Sequence, residues 1–172
     1  MGTSSPSSTA LILIDMQKWI TELSLHPHVD GVVQKCQTLR ATAGAAGAPI
    51  YHIRYLERAG ARADPDSVHN QIVKELAPRE DDVVITKYGI DAFAGTELHA
   101  TLQGAGVVRV ALAGIATAHA VAATAQTAVS LGYAVTVLSD ATASLSPREH
   151  TEALNHLRTI VTVEPCAALA AG

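Results

Sequence analysis

The chain has 172 residues, a formal charge of −4 at pH 7 and an isoelectric point near 6.0. This length predicts one domain with a core of its own, and the mild acidity argues against nucleic acid as a partner. Hydrophobic residues make up 48% of the chain, yet every apolar run is shorter than the roughly 20 residues that span a membrane. We therefore expect no membrane partner.

The first residues and the cysteines indicate where the domain begins and in which cellular compartment the protein is expected. Residues 1–8 are polar and lack a basic leader pattern, which predicts a flexible tail ahead of one domain over residues 9–172. Cys36 and Cys166 are the only cysteines and form no CxxC or Cys/His cluster. The sequence thus predicts neither a disulfide framework nor a metal site, and favours the reducing cytoplasm.

Strand-like and helix-like segments alternate along the chain. The predicted strands, in chain order, cover residues 10–15, 49–54, 82–87, 107–113, 134–138 and 160–163. The predicted helices cover residues 29–46, 96–103 and about 117–131. A last helix begins at Pro147, with Ser146 as its N-cap.

Continuously apolar, β-branched strands joined by helices predict a parallel sheet covered on both faces. We expect an α/β single domain with a doubly wound, Rossmann-like, mainly parallel six-stranded sheet. Ligands of such folds bind beyond the carboxyl ends of the strands, where Asp15, Lys87 and the turn 114–121 fall. The long irregular stretch 55–81 is predicted to be a lid or a subunit-contact segment.

The segment 107–121 reads as a buried strand that passes through Gly114 into the first turn of a helix. Backbone N–H groups and the positive end of the helix dipole favour anion and thiolate chemistry at such a turn. The side chain at this place is Ala120, which supplies no nucleophile.

Four stretches resemble the isochorismatase-like hydrolase superfamily, which includes nicotinamidases, N-carbamoyl amidohydrolases and isochorismatases. They lie in the family's order across about residues 10–165. The stretches are LILIDMQ at 11–17, TKYGIDAFAGTEL at 86–98, LAGIAT at 112–117, and LGY at 131–133 followed by VLSDAT at 137–142.

The resemblance implies an Asp–Lys–Cys triad of a cysteine hydrolase. In that scheme the aspartate takes the thiol proton and returns it to the leaving amine, while the lysine stabilises the carboxylate. Asp15 and Lys87 match directly, whereas Ala120 occupies the position of the cysteine. The resemblance also implies a non-proline cis peptide at Ile115–Ala116 and an oxyanion site formed by the backbone at Ala116, His119 and Ala120.

Four side chains are predicted to line the substrate pocket: Trp19, Tyr88, Phe93 and His119. Trp19 is the only tryptophan and could instead anchor a subunit contact. For Phe93, packing beneath the site explains the residue equally well. His119 is a candidate general base, although a pocket-lining role is favoured.

Metal-dependent nicotinamidases carry an Asp-x-His pattern after the second strand, and this chain does not match it. His26 and His28 form a tempting pair but follow the first strand. We therefore expect neither a metal nor another cofactor.

Three functions stay open. The first is a hydrolase of an amide, carbamoyl or lactam-type C–N bond, present here as an inactive Cys→Ala form. The second is a natural cysteine-less hydrolase of the isochorismatase type with Asp15 as general acid. The third is a non-catalytic binder of a small metabolite. Each takes a small molecule as its partner, and the resemblance implies a homo-oligomer, either a dimer or a tetramer.

Overall fold

The computed structural model describes residues 8–169, and its centre is one six-stranded sheet. The strands are β1 (Thr9–Ile14), β2 (Ile50–Tyr55), β3 (Val83–Lys87), β4 (Arg109–Ile115), β5 (Ala134–Ala143) and β6 (Thr162–Glu164). They lie in the order β3-β2-β1-β4-β5-β6, and every neighbouring pair is parallel. This order belongs to the doubly wound fold and confirms the predicted fold class.

Helices cover both faces of the sheet. They are α1 (Lys18–Thr21), α2 (Val29–Ala45), α3 (Leu98–Gly104), α4 (Ala122–Ser130), α5 (Pro147–Leu157) and α6 (Cys166–Leu169). Of these described helices, none is long and apolar enough to cross a membrane.

Successive residues of a strand point to opposite faces, so each strand serves two cores. Leu11 and Leu13 of β1 share one core with Cys36 of α2. Ile12 and Ile14 share the other with residues such as Leu98 of α3. Because both faces are buried, most of β1 and the middle of β4 consist of apolar residues, and this pattern predicts a parallel sheet.

Element boundaries differ from the prediction where polar residues enter the sheet. The fifth strand was expected to end at residue 138 but continues to Ala143. Asp140 lies within it, because one carboxylate oxygen accepts the N–H of Cys166 at 2.8 Å and the other pairs with Lys35 at 3.0 Å. The sixth strand is shifted to Thr162–Glu164. The predicted cap is confirmed, since Ser146 Oγ accepts the N–H of Glu149 at 3.1 Å.

Gly114 sets the distance between the two central strands. It lies opposite Ile14 in the β1–β4 register and has a φ of 124°. A Cβ at this position would come within 2.1 Å of the carbonyl oxygen of Ile14, so only glycine fits. The close approach brings the residue after β1, Asp15, beside the turn that follows β4.

The stretch 55–81 is anchored to the end of β1 within the same chain. The buried amide of Gln17 donates to the carbonyl oxygens of Tyr55 and Asn70, at 2.9 and 3.0 Å, and accepts the N–H of Tyr55 at 2.7 Å. Val73 N donates to Met16 O at 2.9 Å. The segment therefore supports the site end of β1, and its role as a lid or subunit contact stays a prediction.

The predicted tail over residues 1–8 lies outside the described residues except for Ser8. The carbonyl oxygen of Ser8 accepts the N–H groups of Val108 and Arg109, at 2.9 and 3.0 Å. This residue is thus tied to the start of β4.

Candidate active site

An ion pair joins the ends of two strands. Asp15 follows β1 with a φ of 54°, a left-handed conformation that is uncommon for residues other than glycine. Its Oδ2 lies 2.9 Å from Nζ of Lys87, the last residue of β3. Both side chains are buried, and Lys87 Nζ also donates to the carbonyl oxygen of Ile90 at 2.7 Å. The sheet therefore fixes both partners at its carboxyl edge.

Burial tunes the carboxyl group of this pair. The pKa of Asp15 is raised from 3.8 to about 6, because the loss of hydration outweighs the stabilising charge and hydrogen bond of Lys87. Its second oxygen, Oδ1, is buried and has no hydrogen-bond partner among the described residues. An acid of this kind can gain and lose a proton near neutral pH.

The turn after β4 has an unusual backbone. The peptide bond between Ile115 and Ala116 is cis, as the resemblance implied. A π-helical turn follows over Thr117–Val121, in which Val121 N donates to Ala116 O at 3.1 Å. The sequence predicted a continuous helix over 117–131, but the regular α-helix begins only at Ala122. Such π turns are frequent at functional sites.

Side chains from α5 and from the residue after β5 support this turn from outside. Ser144 Oγ accepts the N–H of Ala118 at 3.1 Å. The hydroxyl of Thr117 is hydrogen-bonded to Nδ1 of His150 at 2.8 Å, and both residues are buried. The turn is therefore held on two sides.

One amide of the expected oxyanion site is already occupied. His119 N donates to Ala116 O at 3.1 Å, because the tight turn folds its own backbone back on itself. The expectation that the His119 N–H binds an oxyanion therefore needs correction, and Ala116 and Ala120 remain as the predicted donors.

One cavity brings the three triad positions together. Asp15, Lys87 and Ala120 all line it, and its volume is about 280 Å³. Ala120 is 5% exposed, so its methyl group lies in the wall and projects little into the space. A larger cavity of about 670 Å³, around Arg109 and Tyr133, contains none of the three positions.

The predicted pocket residues divide into two groups. Trp19 and His119 line the cavity, whereas Tyr88 and Phe93 do not. The prediction has to be corrected at the latter two. Tyr88 is 48% exposed with the guanidinium of Arg58 over its ring at 5.2 Å, since it follows an inward-facing lysine and so points outward. Phe93 is buried in the core and stacks on Tyr133 with ring centroids 6.0 Å apart.

Several residues of the cavity wall were not predicted from the sequence. The hydrogen bonds from Gln17 fix the backbone of Tyr55 at the end of β2, and the ring of Tyr55 lies 5.6 Å from Lys87 Nζ. The other missed wall residues are Ile20, Leu23, Gly89, Ile90, Ile115 and Leu145. Only Tyr55 carried a usable signal, because it stands where a strand ends.

His119 is paired at the mouth of the cavity. Its Nε2 donates to Oε1 of Glu149 at 2.9 Å, and the histidine side chain is 54% exposed. The other carboxylate oxygen of Glu149 accepts the N–H of Leu145 at 2.9 Å. The pair therefore links the turn after β4 to the start of α5.

Neither cysteine of the chain supplies the missing thiol. Cys36 and Cys166 are free, buried and absent from the cavity wall. Burial raises the pKa of Cys36 well above its usual range and raises that of Cys166 to about 12, which keeps both protonated and unreactive. In residues 8–169, no group of three metal-binding side chains lies together.

Similarity to known proteins identifies the family. The family profile described as isochorismatase domain matches residues 9–167. Streptothricin hydrolase from Streptomyces noursei is 35% identical over 141 residues, covering 78% of this chain and 49% of that protein. A protein from Arabidopsis thaliana, named as a probable inactive nicotinamidase, is 30% identical and covers 89% of both chains.

A solved structure supports the same assignment. An isochorismatase family protein from Burkholderia thailandensis superposes with a TM-score of 0.89 at 28% sequence identity, over 95% of this chain and 94% of the other. The match thus covers nearly the whole fold. The chain therefore belongs to the isochorismatase family of hydrolases.

Proposed function

We propose that the cavity is the site of a C–N hydrolase, acting on an amide, carbamoyl or lactam-type bond of a small molecule through Asp15, Lys87 and a nucleophile at position 120. In this chain Ala120 stands in the nucleophile's place, so turnover by that route is lost. The observation that carries the proposal is the buried Asp15–Lys87 pair at 2.9 Å, on the wall that also contains Ala120. The name of streptothricin hydrolase agrees with a hydrolytic role.

With a cysteine at position 120, the site supplies each step of acyl transfer. Asp15 Oδ1, which has no partner among the described residues, accepts the thiol proton. The sulfur attacks the carbonyl carbon, and the N–H groups of Ala116 and Ala120 stabilise the oxyanion. Asp15 then returns the proton to the leaving nitrogen. It next deprotonates the water that hydrolyses the thioester.

Lys87 keeps this cycle within reach of neutral pH. Without the lysine, burial would raise the pKa of Asp15 further, and the carboxylate needed as a base would be scarce. With alanine at position 120, the site lacks only the thiol group that would attack the substrate. The chain is therefore expected to bind its ligand and to leave it intact, which agrees with the name of the Arabidopsis relative as inactive.

The test is to introduce the nucleophile. Ala120→Cys should release ammonia from simple primary amides at least 1,000-fold faster than the unaltered chain, on the order of what a nucleophile contributes. Ala122→Cys is the matched control, because it adds a thiol two residues away at the start of α4. Failure of Ala120→Cys across a broad amide panel would overturn the proposal. Tight binding without turnover in both chains would favour a metabolite binder.

A second function is favoured by the titration of Asp15. A carboxyl group with a pKa of about 6 can act as general acid without any thiol, as hydrolysis of a vinyl ether requires. In that case the unaltered chain hydrolyses vinyl ethers such as isochorismate, and Asp15→Asn abolishes the activity. Turnover that survives Asp15→Asn excludes this alternative.

We also infer a cytoplasmic homo-oligomer, either a dimer or a tetramer. Exposed apolar side chains outside the cavity support self-association, among them Val108 at 55% and Val68 at 53% exposure. Light scattering of the purified protein measures the mass directly. A monomer at micromolar concentration contradicts the inference.

A further inference from the structure

The walls of the cavity carry information about the ligand. They are mainly apolar, and the side chains that give them this character are Trp19, Ile20, Leu23, Tyr55, Ile90 and Leu145. A volume of about 280 Å³ lies near the lower end of the range for small-molecule sites, roughly 300 to 1,000 Å³. The space suits a ligand of few heavy atoms.

Charged groups on the wall are already matched with partners. Among the described residues that line the cavity, Asp15, Lys87 and His119 have acidic or basic side chains. Asp15 and Lys87 pair with each other at 2.9 Å, and His119 pairs with Glu149 at 2.9 Å. An anion that enters the cavity therefore meets no unpaired cation on its wall.

Three arginines, at positions 54, 58 and 62, lie at the end of β2 and in the segment that follows it, and each contacts another side chain. Arg54 donates to Thr86 Oγ1 at 3.0 Å. The guanidinium of Arg62 lies 4.0 Å from the centroid of the Trp19 ring and 3.5 Å from a carboxylate oxygen of Glu57. Arg58 covers the ring of Tyr88, as described above. None of the three lines the cavity.

We propose that this cavity selects small uncharged substrates with a hydrocarbon body and excludes those that bear a carboxylate. The proposal rests on the C–N hydrolase function proposed above and narrows its substrate class. A carboxylate would have to give up its hydration in an apolar space with no free counter-ion. A hydrocarbon group gains by leaving water, and the rings of Trp19 and Tyr55, with centroids 6.4 Å apart, offer contact to a planar ligand.

Trp19 provides the readout. It is the only tryptophan of the chain and it lines the cavity, so its fluorescence reports occupancy without any turnover. The unaltered chain is titrated with 4-methylbenzamide and with 4-carbamoylbenzoate, which differ only in a methyl against a carboxylate group. We expect the uncharged amide to bind at least tenfold more tightly. Equal affinity, tighter binding of the carboxylate, or no binding of the amide at millimolar concentration would overturn the proposal.

A positive charge added to the exposed part of the cavity wall gives a second, independent test of the preference for uncharged ligands. Leu23 lines the cavity and Val129 does not, and both are 41% exposed. Leu23→Lys should narrow the preference for the uncharged amide several-fold, while the matched control Val129→Lys should leave it unchanged. If the unaltered chain prefers the carboxylate and Arg62→Gln removes that preference, Arg62 is an anion ligand and the proposal fails.

Ammonia release by Ala120→Cys separates the two proposals. Equal rates with both amides would overturn the selection and leave the hydrolase function standing. Preferential binding of 4-methylbenzamide without any ammonia release would overturn the hydrolase function and leave the selection standing.

Discussion

Two buried acid–base pairs lie in the same sheet, and only one belongs to the candidate site. Asp15 and Lys87 pair at 2.9 Å, and His52 and Asp82 pair at 3.0 Å. All four side chains are buried. The first pair opens onto a cavity with Ala120, whereas neither member of the second pair lines that cavity. Burial and pairing alone therefore do not mark an active site.

Burial also shifts the pKa of one member of each pair, and the two shifts have opposite signs. Burial raises the pKa of Asp15 to about 6, while burial lowers the pKa of His52 against the opposing effect of Asp82. The stability associated with Asp15 is present below pH 3.8 and is lost as the pH rises through about 6. The stability associated with His52 is present above pH 6.5 and is lost as the pH falls.

The largest effect is expected when the cavity pair is broken. Lys87→Met should lower the free energy of unfolding by about 3 to 5 kcal/mol at pH 8, because it leaves a buried carboxylate without its partner. The loss should be smaller at pH 5, where Asp15 is protonated. Urea unfolding measures both values. The control Lys35→Met removes an exposed partner of Asp140 and should change little. A loss of stability no larger than that of the control would mean that Lys87 does not stabilise the buried carboxylate.

The pH dependence of Asp15 should be next in size. Relative to Asp15→Asn, the unaltered chain should lose about 3 kcal/mol of stability between pH 3.8 and 7, at roughly 1.4 kcal/mol for each pH unit of pKa change. The folded carboxyl group holds its proton more tightly than the unfolded one, which fixes the sign. A difference between the two chains that is independent of pH would show that Asp15 titrates normally.

A smaller loss of stability is expected when the pair of His52 and Asp82 is broken. Asp82→Asn should cost about 1 to 3 kcal/mol, because it weakens the hydrogen bonds to His52 and to the N–H of Arg79. Binding of 4-methylbenzamide, followed by Trp19 fluorescence, should not change. A several-fold loss of affinity in this variant would mean that the two pairs are coupled, and the comparison would fail.

The smallest loss of stability is expected when the contact between Arg62 and Trp19 is removed. Arg62→Gln removes the cation over the Trp19 ring and should cost about 0.5 to 1 kcal/mol of stability. The emission of Trp19 should shift at the same time, because its polar neighbour changes. A loss of several kcal/mol would show that the segment 55–81 depends on this contact rather than on Gln17 and Asn70.

The sheet, Asp15 and Lys87 were predictable from the sequence, because apolar strands that end in a polar residue form a pattern of neighbouring residues. The whole pocket wall could not be predicted in this way. Tyr88 directly follows Lys87, and side-chain direction reverses from one residue to the next at a strand end, so its ring points away from the cavity. Phe93 packs in the core instead. Tyr55 and Leu145 reach the cavity through packing between distant segments, which no local pattern records.

Occupation of the His119 amide was also beyond prediction. It depends on the π-helical turn over Thr117–Val121, and the sequence pattern there favoured an ordinary helix. The same turn places Ala120 in the cavity wall. The backbone of this turn, like much of the cavity wall, is therefore known only from the structure.

Detection of an acyl-enzyme would show directly that a nucleophile at position 120 works with Asp15. Ala120→Cys is mixed with 4-methylbenzamide, quenched in acid and examined by intact-mass and peptide mass spectrometry. An added 4-methylbenzoyl group is expected on the peptide that contains position 120, and none is expected in the double variant with Asp15→Asn. Ammonia release without any adduct at that position, or with an adduct on Cys36 or Cys166 instead, would contradict this mechanism.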